Sequence, residues 1–134
     1  MAEELNNAAF LRTRIERIAH FFNPAEVAEI WITFPDPFLR ESKANRRLTA
    51  ANFIDHYRQI LNPGGLVHLK TDETNLYEFT LEVLNEKEGC EILYQNDDIY
   101  ASELAYPELE TSTYYEKMHR DKGKTIKYVR FLIN

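Results

Sequence analysis

Two carboxylates stand where a buried strand would end and a ligand crevice would open. Asp36 lies in Phe34-Pro35-Asp36-Pro37-Phe38, between prolines that stiffen the backbone, and Asp72 closes Lys70-Thr71-Asp72. Read alone, the first is a proline turn and the second a helix cap. A basic run directly follows the first: Arg40, Lys43, Arg46 and Arg47 against Glu41 alone. Thr113-Tyr114-Tyr115-Glu116 adds a hydroxyl, two aromatic faces and another acid. A second basic run follows, of Lys117, Arg120, Lys122, Lys124, Lys127 and Arg130. Carboxylates accept from the N1–H and exocyclic amine of guanine, aromatic rings stack on unpaired bases, and lysine and arginine hold phosphates. This is the chemistry of an RNA-base site beside a phosphate grip. His20, His56, His68, His119 and Cys90 show no metal-ligand spacing, so no metal is expected. Cys90 and Trp31 read as core residues.

The elements that must position these groups follow from periodicity. Ile15, Ile18, Ala19 and Phe22 mark a helix face over residues 12–22, ended by Asn23-Pro24. Ile30-Trp31-Ile32-Thr33-Phe34 reads as a strand buried on both faces. Thr49 is expected to cap a helix carrying Phe53, Ile54, Tyr57, Ile60 and Leu61, and Asn62-Pro63-Gly64-Gly65 to form a turn. Residues 66–69 predict a short strand and residues 73–85 a helix capped by Asp72. Residues 91–94 predict an edge strand, 96–109 a loop with a short helix, and 125–133 a final strand. Alternation of strands with helices of this length predicts an α/β fold with a mainly parallel sheet. In such a sheet ligands bind beyond the carboxyl ends of the strands.

A chain of 134 residues makes one domain, and 44% apolar with 28% charged residues excludes disordered and fibrous classes. A single cysteine removes any disulfide scaffold, and no apolar run approaches the roughly 20 residues of a membrane helix. The start Met1-Ala-Glu-Glu lacks the order of a signal peptide. A cytoplasmic protein without membrane partners is therefore expected. The net charge of −6 argues against nucleic acid, yet it averages two basic islands with a stretch from Thr71 to Glu116 in which thirteen acids meet only Lys87.

Phe34-Pro35-Asp36-Pro37, Arg46-Arg47-Leu48, Pro63-Gly64-Gly65, Leu69-Lys70-Thr71-Asp72 and Thr113-Tyr114-Tyr115-Glu116-Lys117, in that order, resemble the bacterial tRNA (guanine-N7-)-methyltransferase family. The resemblance runs from about Ala9 to Phe131. It implies a Rossmann-like, S-adenosylmethionine-dependent methyltransferase fold and methylation of a guanine at N7 in the tRNA variable loop. By the resemblance Asp36 is the catalytic acid, also near the cofactor. Arg40, Asp72, Thr113, Tyr114, Tyr115 and Glu116 bind substrate, and Ser42, Lys43, Ala44, Asn45, Arg46 and Arg47 contact RNA.

The chain departs from the family at Phe38, where tryptophan is usual, in a sparser basic run at Glu41, Ser42 and Asn45, and near Thr13 and Arg14, where the family often has an acid. None of its glycines, Gly64, Gly65, Gly89 and Gly123, forms a G-x-G turn before a helix. The expectation is a C-terminal portion of a methyltransferase domain over residues 1–134, truncated to the C-terminal half of the sheet, that binds no S-adenosylmethionine alone and is inactive alone. Its outer strand, residues 30–34, is then an open edge through which copies associate. The alternatives are a non-catalytic RNA-binding or oligomerisation module, and a methyltransferase of protein or small molecules.

Overall fold

The computed structural model describes residues 6–134, so readings made on the first five residues lie outside it. Four strands, β1 (Val27–Thr33), β2 (Leu61–Thr71), β3 (Cys90–Asn96) and β4 (Lys127–Ile133), form one sheet in the order β1-β2-β4-β3. The helix α1 (Ala51–Ile60) carries the chain from β1 to β2, and the two strands run parallel, as a helical crossover requires. The sheet is nonetheless not mainly parallel. β4 is antiparallel to both β2 and β3, because the chain turns back after residues 97–126 and inserts between them. β3 is the expected edge strand, and β1 is the other edge among the described residues.

One face of the sheet packs Ile32, Val67, Leu69, Val129 and Phe131 against Phe53, Ile54 and Tyr57 of α1 and Leu76 and Leu84 of α2 (Thr74–Glu86). The opposite face is covered by Ile99, Leu109 and Ile126 around Tyr128. There Trp31 is 37% exposed, which corrects its reading as core, and its ring lies flat on His68 with centroids 3.8 Å apart. His68 is fully buried in a hydrogen-bonded chain: Arg130 Nε donates to Tyr128 Oη (2.9 Å), Tyr128 Oη bonds His68 Nδ1 (2.7 Å), and His68 Nε2 meets Glu29. Burial, the largest influence, pushes the pKa of this ring down.

Local readings differ from the structure where packing overrides sequence signals. Residues Ile15–His20 form a 3-10 turn with no buried residue, because only Ile15 of the apolar stripe packs on the core. Thr49 does not cap α1; Ala50 holds that place, and the Thr49 hydroxyl bonds Thr80 Oγ1 at 2.6 Å in the core. Asp72 does not cap α2 either, since the N-cap is Glu73. The Asn62-Pro63-Gly64-Gly65 turn is a bulge within β2: β1 advances from Val27 to Glu29 while β2 advances from Leu61 to Leu66, with Gly64 at φ +73°. Cys90 packs on the core, and burial pushes its thiol pKa up. No helix among the described residues is long and apolar enough to cross a membrane.

Candidate functional site

The chain leaves β1 through a backbone that bulky residues rarely adopt. Phe34 has φ +50° and Phe38 φ +41°, so Pro35-Asp36-Pro37 is bracketed by two strained phenylalanines. Asp36 is exposed; its Oδ1 accepts from the Phe38 amide at 2.9 Å. It opens into a cleft of about 660 Å³ shared with Glu16, Phe38, Arg46, Asn52 and Phe53. Residues Glu41–Arg46 form the 3-10 turn behind it. Arg40 and Lys43 line an adjoining groove of about 280 Å³ with Phe38 and Leu39. Ser42, Asn45 and Arg46 are exposed, and Ala44 is half-buried. Arg47 is the exception. Its side chain is buried, with Nε donating to the Pro37 and Phe38 carbonyls (3.0 and 3.1 Å), Nη2 to Phe38 O (3.0 Å), and the guanidinium 4.5 Å from the centroid of Phe79. These contacts commit Nε and Nη2 to backbone carbonyls and draw inward a side chain that the resemblance assigns to RNA.

On the other side of Phe34 the structure assembles the remaining acids. Thr113 accepts from the Glu116 amide (3.1 Å) and caps α3 (Tyr114–Asp121), a helix not expected from periodicity. Its sequence signal is the T-x-x-E capping pattern. Tyr114 and Tyr115 are exposed at 78% and 58%, and with Thr113 they border a groove of about 370 Å³ against Thr33 and Phe34. Glu116, expected to touch substrate, is 1% exposed. Its carboxylate pairs with the equally buried Lys70 (2.8 Å) and accepts from Tyr100, whose pKa burial and this carboxylate push up to about 12. Lys70 also donates to Leu109 O (3.3 Å) and Thr111 O (3.1 Å), so the pair staples the segment before α3 to β2. Glu116 therefore places Thr113 and the tyrosines from inside.

Asp72 is met by Lys124 Nζ (3.1 Å) and His119 Nδ1 (3.5 Å), while Lys127 Nζ donates to its backbone carbonyl (3.1 Å). His119, which no sequence signal marked, is the junction. Four residues after Tyr115 on α3, it packs its ring on Tyr115 (5.4 Å) and Phe34 (5.9 Å) while facing Asp72. The second basic island divides: Lys127 is buried, Arg130 is half-buried over Tyr106, and Arg120 lies over Tyr100 at the surface. Lys117, Lys122 and Lys124 stay exposed. Among the described residues no group of three or more His, Cys, Asp or Glu is placed to hold a metal ion.

An acid beyond the first of two parallel strands, a second beyond the next, and an antiparallel strand inserted beside them belong to a Rossmann-like α/β protein of the methyltransferase class. A protein-family model described as "Putative methyltransferase" matches residues 1–129, and the chain belongs to that family. Curated relatives carry the name tRNA (guanine-N(7)-)-methyltransferase. That of Christiangramia forsetii is 43% identical over 99% of this chain and 59% of its own length. That of Porphyromonas gingivalis is 44% identical over 98% and 53%, and that of Mycoplasmopsis pulmonis 38% identical over 96% and 61%. The chain thus spans a little over half the length of the relatives it matches.

Proposed function

We propose that this chain forms the C-terminal, RNA-facing portion of an S-adenosylmethionine-dependent tRNA (guanine-N7-)-methyltransferase domain, working in the cytoplasm, with Asp36 as its catalytic acid. The observation that carries the reading is the mounting of Asp36: exposed at the mouth of the cleft, with Arg46 on one wall and the Phe34–Tyr115 groove alongside. The names that the relatives carry supply the substrate. The cleft fits one side of the cofactor. The carboxylates of Asp36 and Glu16, the Asn52 amide and the rings of Phe38 and Phe53 suit a sulfonium cation with a polar tail. Asp36 is the residue of this chain that would hold it. When bound, S-adenosylmethionine supplies the methyl carbon on its sulfonium.

Guanine N7 carries a lone pair and no proton, so this chain needs to supply no general base. Its task is to orient the base and to balance charge. Asp36 meets the positive charge that grows on the imidazole ring as N7 is alkylated. Asp72 pairs with Lys124 and turns that lysine toward the RNA, while the His119 ring, packed on both Phe34 and Tyr115, keeps the two together. Tyr114 and Tyr115 offer stacking faces, and Thr113 a hydroxyl at the groove. Arg40, Lys43 and Arg46 take phosphates, with Ser42, Ala44 and Asn45 on the same turn.

β1 further supports self-association of the chain, since residues 30–34 run along the sheet edge with Trp31 half-exposed beside them. Sedimentation with amide exchange over residues 29–34 is expected to show a dimer with protected amides; a monomer with fast exchange there overturns it. The RNA reading is tested by fluorescence anisotropy with a labelled tRNA transcript. Binding should weaken steeply with salt, and Arg46→Ala should lower the logarithmic salt slope by about one. Absence of binding at low salt overturns it.

A further inference from the structure

Arg47 lies in the basic run, yet its side chain is buried. Its guanidinium is buried against Phe79, and two of its nitrogens are committed to the carbonyls of Pro37 and Phe38. One of these acceptors matters more than the other. The Pro37 carbonyl and the Phe38 N–H belong to the same peptide unit, which is planar and stiff. Arg47 Nε holds the oxygen end of that plane at 3.0 Å, and Asp36 Oδ1 accepts from its nitrogen end at 2.9 Å. A single rigid amide therefore links a buried cation to the carboxylate at the cleft. It does so within a backbone held at φ +50° and +41° on either side, a conformation that phenylalanine leaves unless something restrains it.

We propose that Arg47 is a positioning residue for Asp36, fixing the carboxylate by gripping the far end of the peptide that binds it. The inference rests on the reading of Asp36 as the catalytic acid, and it adds a residue that touches neither RNA nor cofactor. The cation at the carbonyl oxygen also draws electron density from the amide and strengthens its N–H as a donor, since hydrogen bonds in series polarise one another. Lysine is no substitute. Its donors radiate from one atom and do not reach two carbonyls from separate nitrogens in a fixed fork. The other charged groups around the Asp36 cleft are Arg14 and Glu16 from the N-terminal segment and Arg46 from the turn; α1 contributes only Asn52 and Phe53.

The test is nuclear magnetic resonance of this chain, with no methyl transfer required. The Asp36 carboxyl carbon, the Phe38 amide proton and the Arg47 Nε–H should titrate with one midpoint. Both proton transitions should vanish in Asp36→Asn and persist in Glu16→Gln. An Arg47 Nε–H that ignores the Asp36 titration overturns the proposal, even if Phe38 responds. In Arg47→Lys, Phe38 amide exchange should rise roughly tenfold or more, the counterpart of losing a hydrogen bond to a charged group. Unchanged exchange there also overturns it. If that variant does not fold, the wild-type and Asp36→Asn titrations decide alone. A merely structural arginine would not follow the ionisation of Asp36. Failure of the proposed function shows instead in methyl transfer, so the two failures are distinguishable.

Discussion

Lys70→Met cuts the staple that holds α3 to the sheet, and its cost follows from what is left behind. Lys70 and Glu116 are 2% and 1% exposed, and the ammonium serves the Glu116 carboxylate and two backbone carbonyls at once. With methionine in its place, a buried carboxylate keeps only Tyr100, and Leu109 O and Thr111 O lose their donor. Breaking a buried pair in this way costs about 3–5 kcal/mol. At roughly 4 °C per kcal/mol for a domain of this size, Tm should fall by about 12–20 °C. The double variant Lys70→Met/Glu116→Gln removes both charges and leaves an amide that can accept from Tyr100 and donate to a carbonyl, so it should cost only about 1–2 kcal/mol. Urea unfolding followed by circular dichroism on both single variants and the double gives the coupling, expected at about 2 kcal/mol or more. As a contrast, Lys87→Met removes the exposed pair with Asp55 and should change stability by less than about 1 kcal/mol. Effects of Lys70→Met and Glu116→Gln that add within about 0.5 kcal/mol would refute the reasoning, because the two side chains would then not act as one buried unit.

Three further outcomes follow from the same geometry. In an active enzyme containing this sequence, Asp36→Ala should lower kcat by about 10²- to 10³-fold, whereas Arg46→Ala should mainly weaken tRNA binding in a salt-dependent way; steady-state kinetics at two salt concentrations separates them, and equal salt-independent losses would reject these roles. Calorimetric titration of this chain with S-adenosylmethionine should show no saturable binding in the micromolar range, and saturation there would mean that these residues make a complete site. Burial holds the folded pKa of His68 below the roughly 6.5 of an unfolded histidine, so acidification protonates the unfolded chain first. Stability should therefore fall as pH drops below about 6.5, by less in His68→Gln, and an equal fall in both proteins on urea unfolding at pH 7.5 and 5.0 contradicts it.

The site was legible in sequence as far as residue type and strand ends carry it. Asp36 and Asp72 follow neighbouring parallel strands because a buried apolar run ended by proline or by a polar triplet is a reliable mark of a strand's carboxyl end. The fate of each charge was not legible. Arg46 and Arg47 are adjacent and chemically identical, yet one reaches solvent and the other binds the Pro37 and Phe38 carbonyls, a distinction made by the strained turn nine residues earlier. Glu116 likewise reads as a site acid until β4 brings the chain back and Lys70 meets it from β2. Trp31 looked like core because an apolar strand does not reveal which of its faces another element covers. α3 escaped notice because its sequence has almost no apolar periodicity; its cap and the buried Glu116 hold it instead.

The central claim is that this chain provides the acid and RNA-binding half of a guanine-N7 methyl transfer site. The most direct measurement replaces the matching part of the Christiangramia forsetii relative, 43% identical, with this chain and quantifies N7-methylguanine in a tRNA transcript by mass spectrometry. The account predicts methylation of the variable-loop guanine by the chimera, its loss in the folded Asp36→Ala chimera, and none in a transcript carrying 7-deazaguanine there. A folded chimera that binds tRNA but methylates nothing, or one that keeps its activity without Asp36, would contradict it.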